Sequence, residues 1–499
     1  MDHPPPPSPR SGSAWLRPGV TAVAVVAVAW YAVFVGRHIS PFAGGADSSG
    51  YLNSARLLGE AKFHAATRVL PGHAATEFGA AAYQPLGFTT GPDGTRMVPT
   101  YPLGLPLHLL AAARIVGWDQ AAVATNLAAL LAGGGLLWAF ARRLGLARVS
   151  ASAGVGALWL CPLSLFSAMQ PMSDLLALTW ALATLYAAWR AREDVRWGWL
   201  AGFALGVAVL VRPTNLLLIL PVLVALGWHW RAYLTIGLGG LPCAALLLFY
   251  NWKLYGTAVT TGYGDVRAAF GLGNLPHNLL HFSHWIPVLL SPLVVLALGA
   301  PFLSGIRSRG YAVLAAWAVT LTGFYVFYFH SGETWWYLRF ILPAFPALIL
   351  AALAVLETLG RNPRISPGPR AALTALLLLG TAGWLIRQDR QLDVLYLKEN
   401  ERTYPAAAQW ARQNLPAQSV VFCMQVSGAF FYYTDSLLLR YEQIAPGNYP
   451  SLLNTLAAQN RPVYAALFPF ETAEAQARIG GQWTKLATVG QVTFWQRQP

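Results

Sequence analysis

"YPLGLPLHLLAAARIVG", residues 101–117, fixes the topology of everything that follows it. The stretch is apolar enough to cross a bilayer, yet it carries Pro102 and Pro106 near its start and His108 and Arg114 further on. If it does not span, the N-terminus is cytoplasmic. The gaps holding Arg142, Arg143 and Arg148; Arg190, Arg192 and Arg196; Arg231; Arg307 and Arg309; and Arg361, Arg364 and Arg370 then all lie inside. Beyond the long first loop, the short gaps on the outer side hold almost no basic residue before "NWKLYG" (251–256). If it does span, nearly all of those arginines move out. Cytoplasmic loops concentrate Lys and Arg, so 101–117 reads as a half-buried interfacial or re-entrant segment.

The composition supports a membrane reading. Of 499 residues, 56% are hydrophobic and only 11% charged, too few charges for a soluble chain of this length. The 20 tryptophans suit rings seated at the headgroup level. A net charge of +14 would point to nucleic acid in a soluble protein. Here the arginines fall in short gaps between apolar runs, so the charge reads as membrane orientation and no nucleic-acid partner is expected. Cys161 and Cys243 lie in apolar runs and Cys423 far downstream, which excludes a disulfide framework in the polar parts.

Residues 1–18, "MDHPPPPSPRSGSAWLRP", are too proline-rich to fold and predict a disordered cytoplasmic tail. The run at 19–36 follows. A cleavable signal is its rival reading, but "RHISPF" intervenes where a small-residue cleavage site is needed, which favours an uncleaved anchor. Further apolar stretches lie near 120–141, 150–169, 172–189, 197–211, 213–228, 232–252, 284–304, 311–330, 337–359 and 371–388. Residues 197–228 are too long for one span, and Arg212-Pro213 breaks them into two. The expected fold is an α-helical polytopic membrane domain over 19–388 with about eleven spans, N-terminus in and C-terminus out. Outside would lie a large first loop (37–118), a second (253–283) and a small α/β domain (389–499). That last part alternates helical patterns with strand-like runs such as "SVVFCMQV", "VYAALFPF" and "LATVGQVTFW". It carries no phosphate-cradling glycine motif and no His/Cys set with metal spacing.

Carboxylates are scarce on the outer side, so each is a candidate. Asp47, in "PFAGGADSSGYLNSARLLGEAKF" (41–63), opens a segment whose Tyr51, Leu52, Ala55 and Leu58 share one helical face, as in a helix lying on the membrane surface. It could cap that helix or serve a site. Asp174, in "MQPMSDLLAL", sits at the outer mouth of a span and has the same two readings. The densest polar cluster between spans, "FHSGETWWYLRFILPAFP" (329–346), holds His330, Glu333 and Arg339 among aromatic rings. Arg339 either snorkels to the headgroups or offers a fixed fork to a phosphate. Arg212 either satisfies carbonyls freed by the helix break or does the same as Arg339. His277, His281 and His284 could share a helix face, but no acidic partner lies near them in sequence to complete a metal site.

Together "ADSSGYLNSARLL" (46–58), "YPLGLPLHLLAA" (101–112), "ARRLGLARVSASAGVGALWLCPLSLFSAMQPMSDLLAL" (141–178), "LAGFALGVAVLVRPTNLLLILP" (200–221), "NWKLYGTAVTTGYG" (251–264) and "YLRFILPAFPAL" (337–348) resemble the GT-C glycosyltransferases. The resemblance is to the bacterial branch of protein O-mannosyltransferase-like enzymes, lipid A aminoarabinose transferase and rhizobial galacturonosyltransferases. It runs over roughly residues 19–388 and rests on the order and spacing of the motifs. It implies an inverting transferase of the cytoplasmic membrane, with a polyprenyl-phosphate sugar donor and a lipid, glycan or protein acceptor at the outer face. Asp47 matches the family's essential first-loop aspartate, Asp174 a position where relatives often carry a second acid, and Arg339 a basic residue near the donor phosphate. Many relatives have two acids in the first motif. Here Ser48 and Ser49 follow Asp47, which disfavours a divalent metal, and no cofactor is expected.

The candidate set is therefore Asp47, as general base, and Asp174 for catalysis; Arg339, Arg212 and Lys253 for the donor phosphate; and Tyr51, Tyr83, Tyr101, Tyr263, His330 and Glu333 for the substrate site. A lipid-linked saccharide flippase is the alternative, but it needs ionisable groups at mid-span, of which there are few. An O-antigen ligase or polymerase would usually carry more basic residues in an outer loop than Lys253 and Arg267.

Overall fold

The computed structural model describes residues 16–302, 308–360 and 366–498. Most of the expected N-terminal tail, together with Arg307, Arg361 and Arg364, lies outside these. The chain is a mostly helical multi-pass membrane protein. Its helices are α1 (Leu16–His38), α2 (Ala46–Gly59), α3 (Gly104–Val116), α4 (Trp118–Arg143), α5 (Arg148–Trp159), α6 (Pro162–Ala168) and α7 (Ser173–Arg190). They continue with α8 (Trp197–Val211), α9 (Ile219–Leu226), α10 (Trp230–Tyr255), α11 (Leu275–Leu290), α12 (Arg309–Tyr325), α13 (Phe345–Gly360) and α14 (Pro367–Gln391). Among the described residues, 5 helices are long and apolar enough to cross a membrane, or up to 7 if each bent pair is one span.

Proline sets the bends. Arg148–Trp159 and Pro162–Ala168 meet at 57°, and the segments on either side of Ser291-Pro292 meet at 112°. Pro292 has no amide to continue a helix, and Ser291 sits at φ 70. The apolar run expected at 284–304 is accordingly sharply bent, and its first arm begins earlier, at the start of α11. At Arg212-Pro213 the chain turns extended (φ −149), then re-enters through a 3-10 turn, Pro213–Leu218, into α9.

Helix α3 has 13 residues and so rises about 20 Å, short of a hydrocarbon core of about 30 Å. It lies along α2, where Arg114 Nη2 donates to Gly59 O at 3.4 Å. Its first residue, Gly104, packs so closely on the backbone of Leu210 and Val211 that a Cβ there would overlap it. Helices α8 and α10 interlock by the same means. Gly198, Gly202 and Gly206 recur every fourth residue, and Cβ atoms on them would strike Thr235, Ile236 O and Cys243. Lipid gives helices no hydrophobic reason to associate, so close backbone approach through small residues does that work.

The arginine-bearing gaps gather at one end of the bundle. Arg143 pairs with Glu193 at 3.1 Å, the Ala147 amide and Ser150 hydroxyl donate to Glu357, and the Arg309 guanidinium packs on Gly227. The first loop covers the opposite end. It contains a small antiparallel sheet, β1 (Ala65–Ala66), β2 (Phe88–Thr90) and β3 (Arg96–Pro99), in the order β1-β3-β2.

Beyond α14, the chain forms short helices α15 (Leu397–Glu401), α16 (Thr403–Asn414), α17 (Ser427–Tyr433), α18 (Tyr449–Ala458) and α19 (Pro469–Ile479). They pack on a five-stranded sheet of β4 (Val420–Cys423), β5 (Leu437–Arg440), β6 (Val463–Leu467), β7 (Trp483–Val489) and β8 (Val492–Arg497). The order is β5-β4-β6-β8-β7, with β4 parallel to β5 and β6, and β8 antiparallel to β6 and β7. Leu70, Phe78 and Tyr83 of the first loop share a core with Val420, Phe422 and Leu439 of this sheet.

Candidate active site

Helix α2 starts after Gly44 and Gly45. Its N-cap is Gly45, which offers no side-chain cap, and Asp47 stands in the first turn. Helix α7 repeats the arrangement, with N-cap Met172 and Asp174 in its first turn. Neither aspartate caps its helix. Each is instead near a positive helix end, a favourable place for a carboxylate, and is turned to an arginine. Asp47 Oδ2 lies 2.7 Å from Arg339 Nη1, and Asp174 Oδ1 lies 2.6 Å from Arg212 Nη2. The pairs are linked, because Arg212 Nη1 also donates to the Arg339 carbonyl at 3.1 Å.

Both pairs face one cavity of about 550 Å³. Of the residues expected from sequence, Asp47, Asp174, Arg212, Arg339, Tyr51, Tyr101, Tyr263 and His330 all line it. Distant segments deliver them: α2, the start of α3, the start of α7, the α8–α9 break, the second loop and the stretch before α13. Tyr51 donates to Ser173 Oγ at 3.0 Å, and the Tyr101 phenol lines the cavity beside the Asp47 carboxylate. Burial, reinforced by the Asp47 charge, holds the phenols of Tyr51 and Tyr101 well above their ordinary value; burial, then Tyr51 and Asp47, does the same for Tyr263. All three stay protonated donors through the physiological range. Arg339 Nε is buried and has no hydrogen-bond partner among the described residues.

Three expected residues lie elsewhere. Tyr83 is 3% exposed, within the core shared with the C-terminal sheet, because its ring is worth more packed against Phe422 and Leu439 than at a polar cavity. Lys253 lies on the exposed last turn of α10, with Nζ 4.8 Å from the Trp252 ring centre. Glu333 lies beside the lining and reaches it only through His330, whose Nδ1 is 3.0 Å from its Oε2. His277 and His281 place Nε2 against the carbonyls of Gly332 and Thr334, which ties down the same turn. Among the described residues no group of three or more His, Cys, Asp or Glu side chains could hold a metal ion.

The cavity also has residues that the sequence did not single out: Tyr325, Tyr328, Tyr337, Phe340, Phe270 and Thr214. Thr214 and Tyr325 hydroxyls are 2.7 Å apart, and the Tyr325 and Phe340 rings stack at 5.5 Å. Tyr337 could have been found by its place two residues before Arg339. Tyr325 and Tyr328 are hidden in an apolar run.

No protein-family model and no curated protein matches the chain. Solved structures do. The ArnT structure from Cupriavidus metallidurans bound to undecaprenyl phosphate aligns over 98% of this chain and 100% of its own, with a TM-score of 0.60 and 14% identity. The archaeal oligosaccharyltransferase AglB from Archaeoglobus fulgidus, in complex with an inhibitory peptide and a dolichol-phosphate, aligns over 94% of this chain and 74% of its own (TM-score 0.55, 10% identity). The mycobacterial arabinofuranosyltransferase AftD aligns over 94% of this chain and 39% of its own (TM-score 0.52, 14% identity). The likeness covers nearly the whole chain, and the chain has the fold that these three proteins share.

Proposed function

We propose that this chain is an inverting glycosyltransferase that moves a sugar from a polyprenyl-phosphate donor to a hydroxyl or amine of a lipid, glycan or protein acceptor. The observation that carries the reading is the shared cavity of the Asp47–Arg339 and Asp174–Arg212 pairs. Two lipid-phosphate-bound structures of the same fold support the donor class. In the proposed topology about eleven passes leave the arginine-rich gaps in the cytoplasm, with the cavity and the C-terminal part outside the cytoplasmic membrane.

The sugar–phosphate C–O bond breaks and its electron pair leaves on the phosphate. Arginine forks offset that charge in a site closed off from bulk water. Arg339 exchanges Asp47 for a phosphate oxygen, with its unpartnered Nε as a further donor. Asp47, 27% exposed and so open to the cavity, is then free to accept the proton of the attacking group. The acceptor oxygen or nitrogen bonds to the anomeric carbon from the face opposite the leaving phosphate, which inverts that centre. Asp174 acts through Arg212, and the tyrosine hydroxyls hold sugar or phosphate oxygens. The arginines do the work that a divalent metal does elsewhere.

The test is transfer from a panel of polyprenyl-phosphate sugars in proteoliposomes, with undecaprenyl phosphate alone as the binding probe. Asp47→Asn is expected to bind undecaprenyl phosphate as the natural chain does and to lose transfer by at least about a hundredfold. Undiminished transfer by this variant, or none by the natural chain on the whole panel, sinks the reading. A transporter would tolerate the substitution.

A further inference from the structure

The segment Arg37–Gly45 leads into the helix that presents Asp47, and the C-terminal part of the chain holds it at several points. Lys398 Nζ donates to Arg37 O at 2.8 Å. The Ala43 amide donates to the Tyr433 hydroxyl at 3.0 Å. The Glu401 carboxylate packs against the Gly44–Gly45 backbone, so close to Gly44 that a Cβ there would overlap it. Further along, Asn53 Nδ2 donates to Gly428 O at 3.0 Å, and Arg56 stacks on Tyr432 at 3.5 Å. One long side of α2 is thus held against α15 and α17, while the other supplies Asp47 and Tyr51 to the cavity.

We propose that the C-terminal part is a working component of the transfer site, with Glu401 and Tyr433 as positioning residues that fix the start of α2 and hence the Asp47 carboxylate. The inference rests on the proposed role of Asp47. The helix start has no side-chain cap of its own, and Glu401, from a distant element, packs on the two glycines that lead into it. Its second oxygen, Oε2, is buried without a hydrogen-bond partner, a costly placement that a solvated surface carboxylate would avoid. A side chain at 44 would displace the carboxylate from this seat. Burial pushes Glu401 up to about 7, so glutamine, neutral and of the same shape, is a near mimic.

Two readouts test this in the full chain. The first is amide hydrogen exchange over residues 41–52, which needs no activity. Glu401→Ala is expected to speed it, with Glu401→Gln unchanged and the peptides of the C-terminal sheet unaffected. The second is the kinetic split: Glu401→Ala is expected to lower kcat by about tenfold, through misplacement of the base, with donor KM kept, and Glu401→Gln to restore kcat. Should Glu401→Ala fail to fold, Tyr433→Phe, which removes one hydroxyl, is expected to give the same pattern in smaller measure. Unaltered exchange, unaltered kcat, or a loss that glutamine does not rescue overturns the proposal. Natural-chain inactivity with faster exchange in Glu401→Ala would instead sink the function and leave the strut standing.

Discussion

Asp47 and Asp174 look alike in sequence, each in a first helical turn, but their surroundings differ. The Asp174 side chain is 2% exposed and its partner Arg212 12%, whereas Asp47 is 27% exposed. Removing one member of a buried pair strands the other charge, at about 3–5 kcal/mol. Asp174→Asn should therefore lower the thermal midpoint in detergent by several degrees, while Asp47→Asn, at a side chain open to the cavity, lowers it less. An equal drop for both would contradict this division. Residue type alone signalled both aspartates, because an isolated carboxylate at a membrane mouth has few structural excuses. It could not rank them, since exposure depends on segments that arrive from elsewhere in the chain.

Helices α8 and α10 meet through Gly198, Gly202 and Gly206, and α8 ends at Arg212. Gly202→Leu would drive a side chain into the Ile236 carbonyl, with an overpacking cost of about 1–3 kcal/mol. The expected result is a lower thermal midpoint together with weaker undecaprenyl phosphate binding, as Arg212 shifts with its helix. Loss of stability with binding intact would mean that the α8–α9 break, not α8, holds Arg212. The break itself was readable, because Pro213 cannot extend the helix before it. The bend at Ser291-Pro292 was missed: the run around it stays apolar, and hydropathy does not register backbone direction. Similarly, α3 was recognisable as non-spanning from charge, whereas its docking on α2 needed Gly104 to be seen against α8.

The proposed orientation of the whole molecule can be checked with thiol reporters, since Cys161, Cys243 and Cys423 are all buried and give little background. Thr257→Cys, in the second loop, should react with a membrane-impermeant reagent in intact cells. Asp194→Cys, among the arginine-rich gaps, should react only after lysis. The reverse pattern would put the cavity on the cytoplasmic side and remove access to a donor presented outside. The first loop and the C-terminal sheet share one buried core, which includes Tyr83.

Hydropathy and the placement of arginine were enough to give a helical membrane protein, because the cost of exposing polar backbone and charge to lipid acts on each segment separately. The motif order then pointed to the GT-C fold. The chemistry-bearing residue types were also legible, since charge is rare where lipid is near. What no single stretch could specify was which charges meet. The Asp47–Arg339 and Asp174–Arg212 pairs, the tyrosine walls and the seat of Glu401 on Gly44 each join residues more than thirty positions apart. Side-chain contacts of that kind follow from how helices cross and where prolines bend them, and those are properties of the packed molecule.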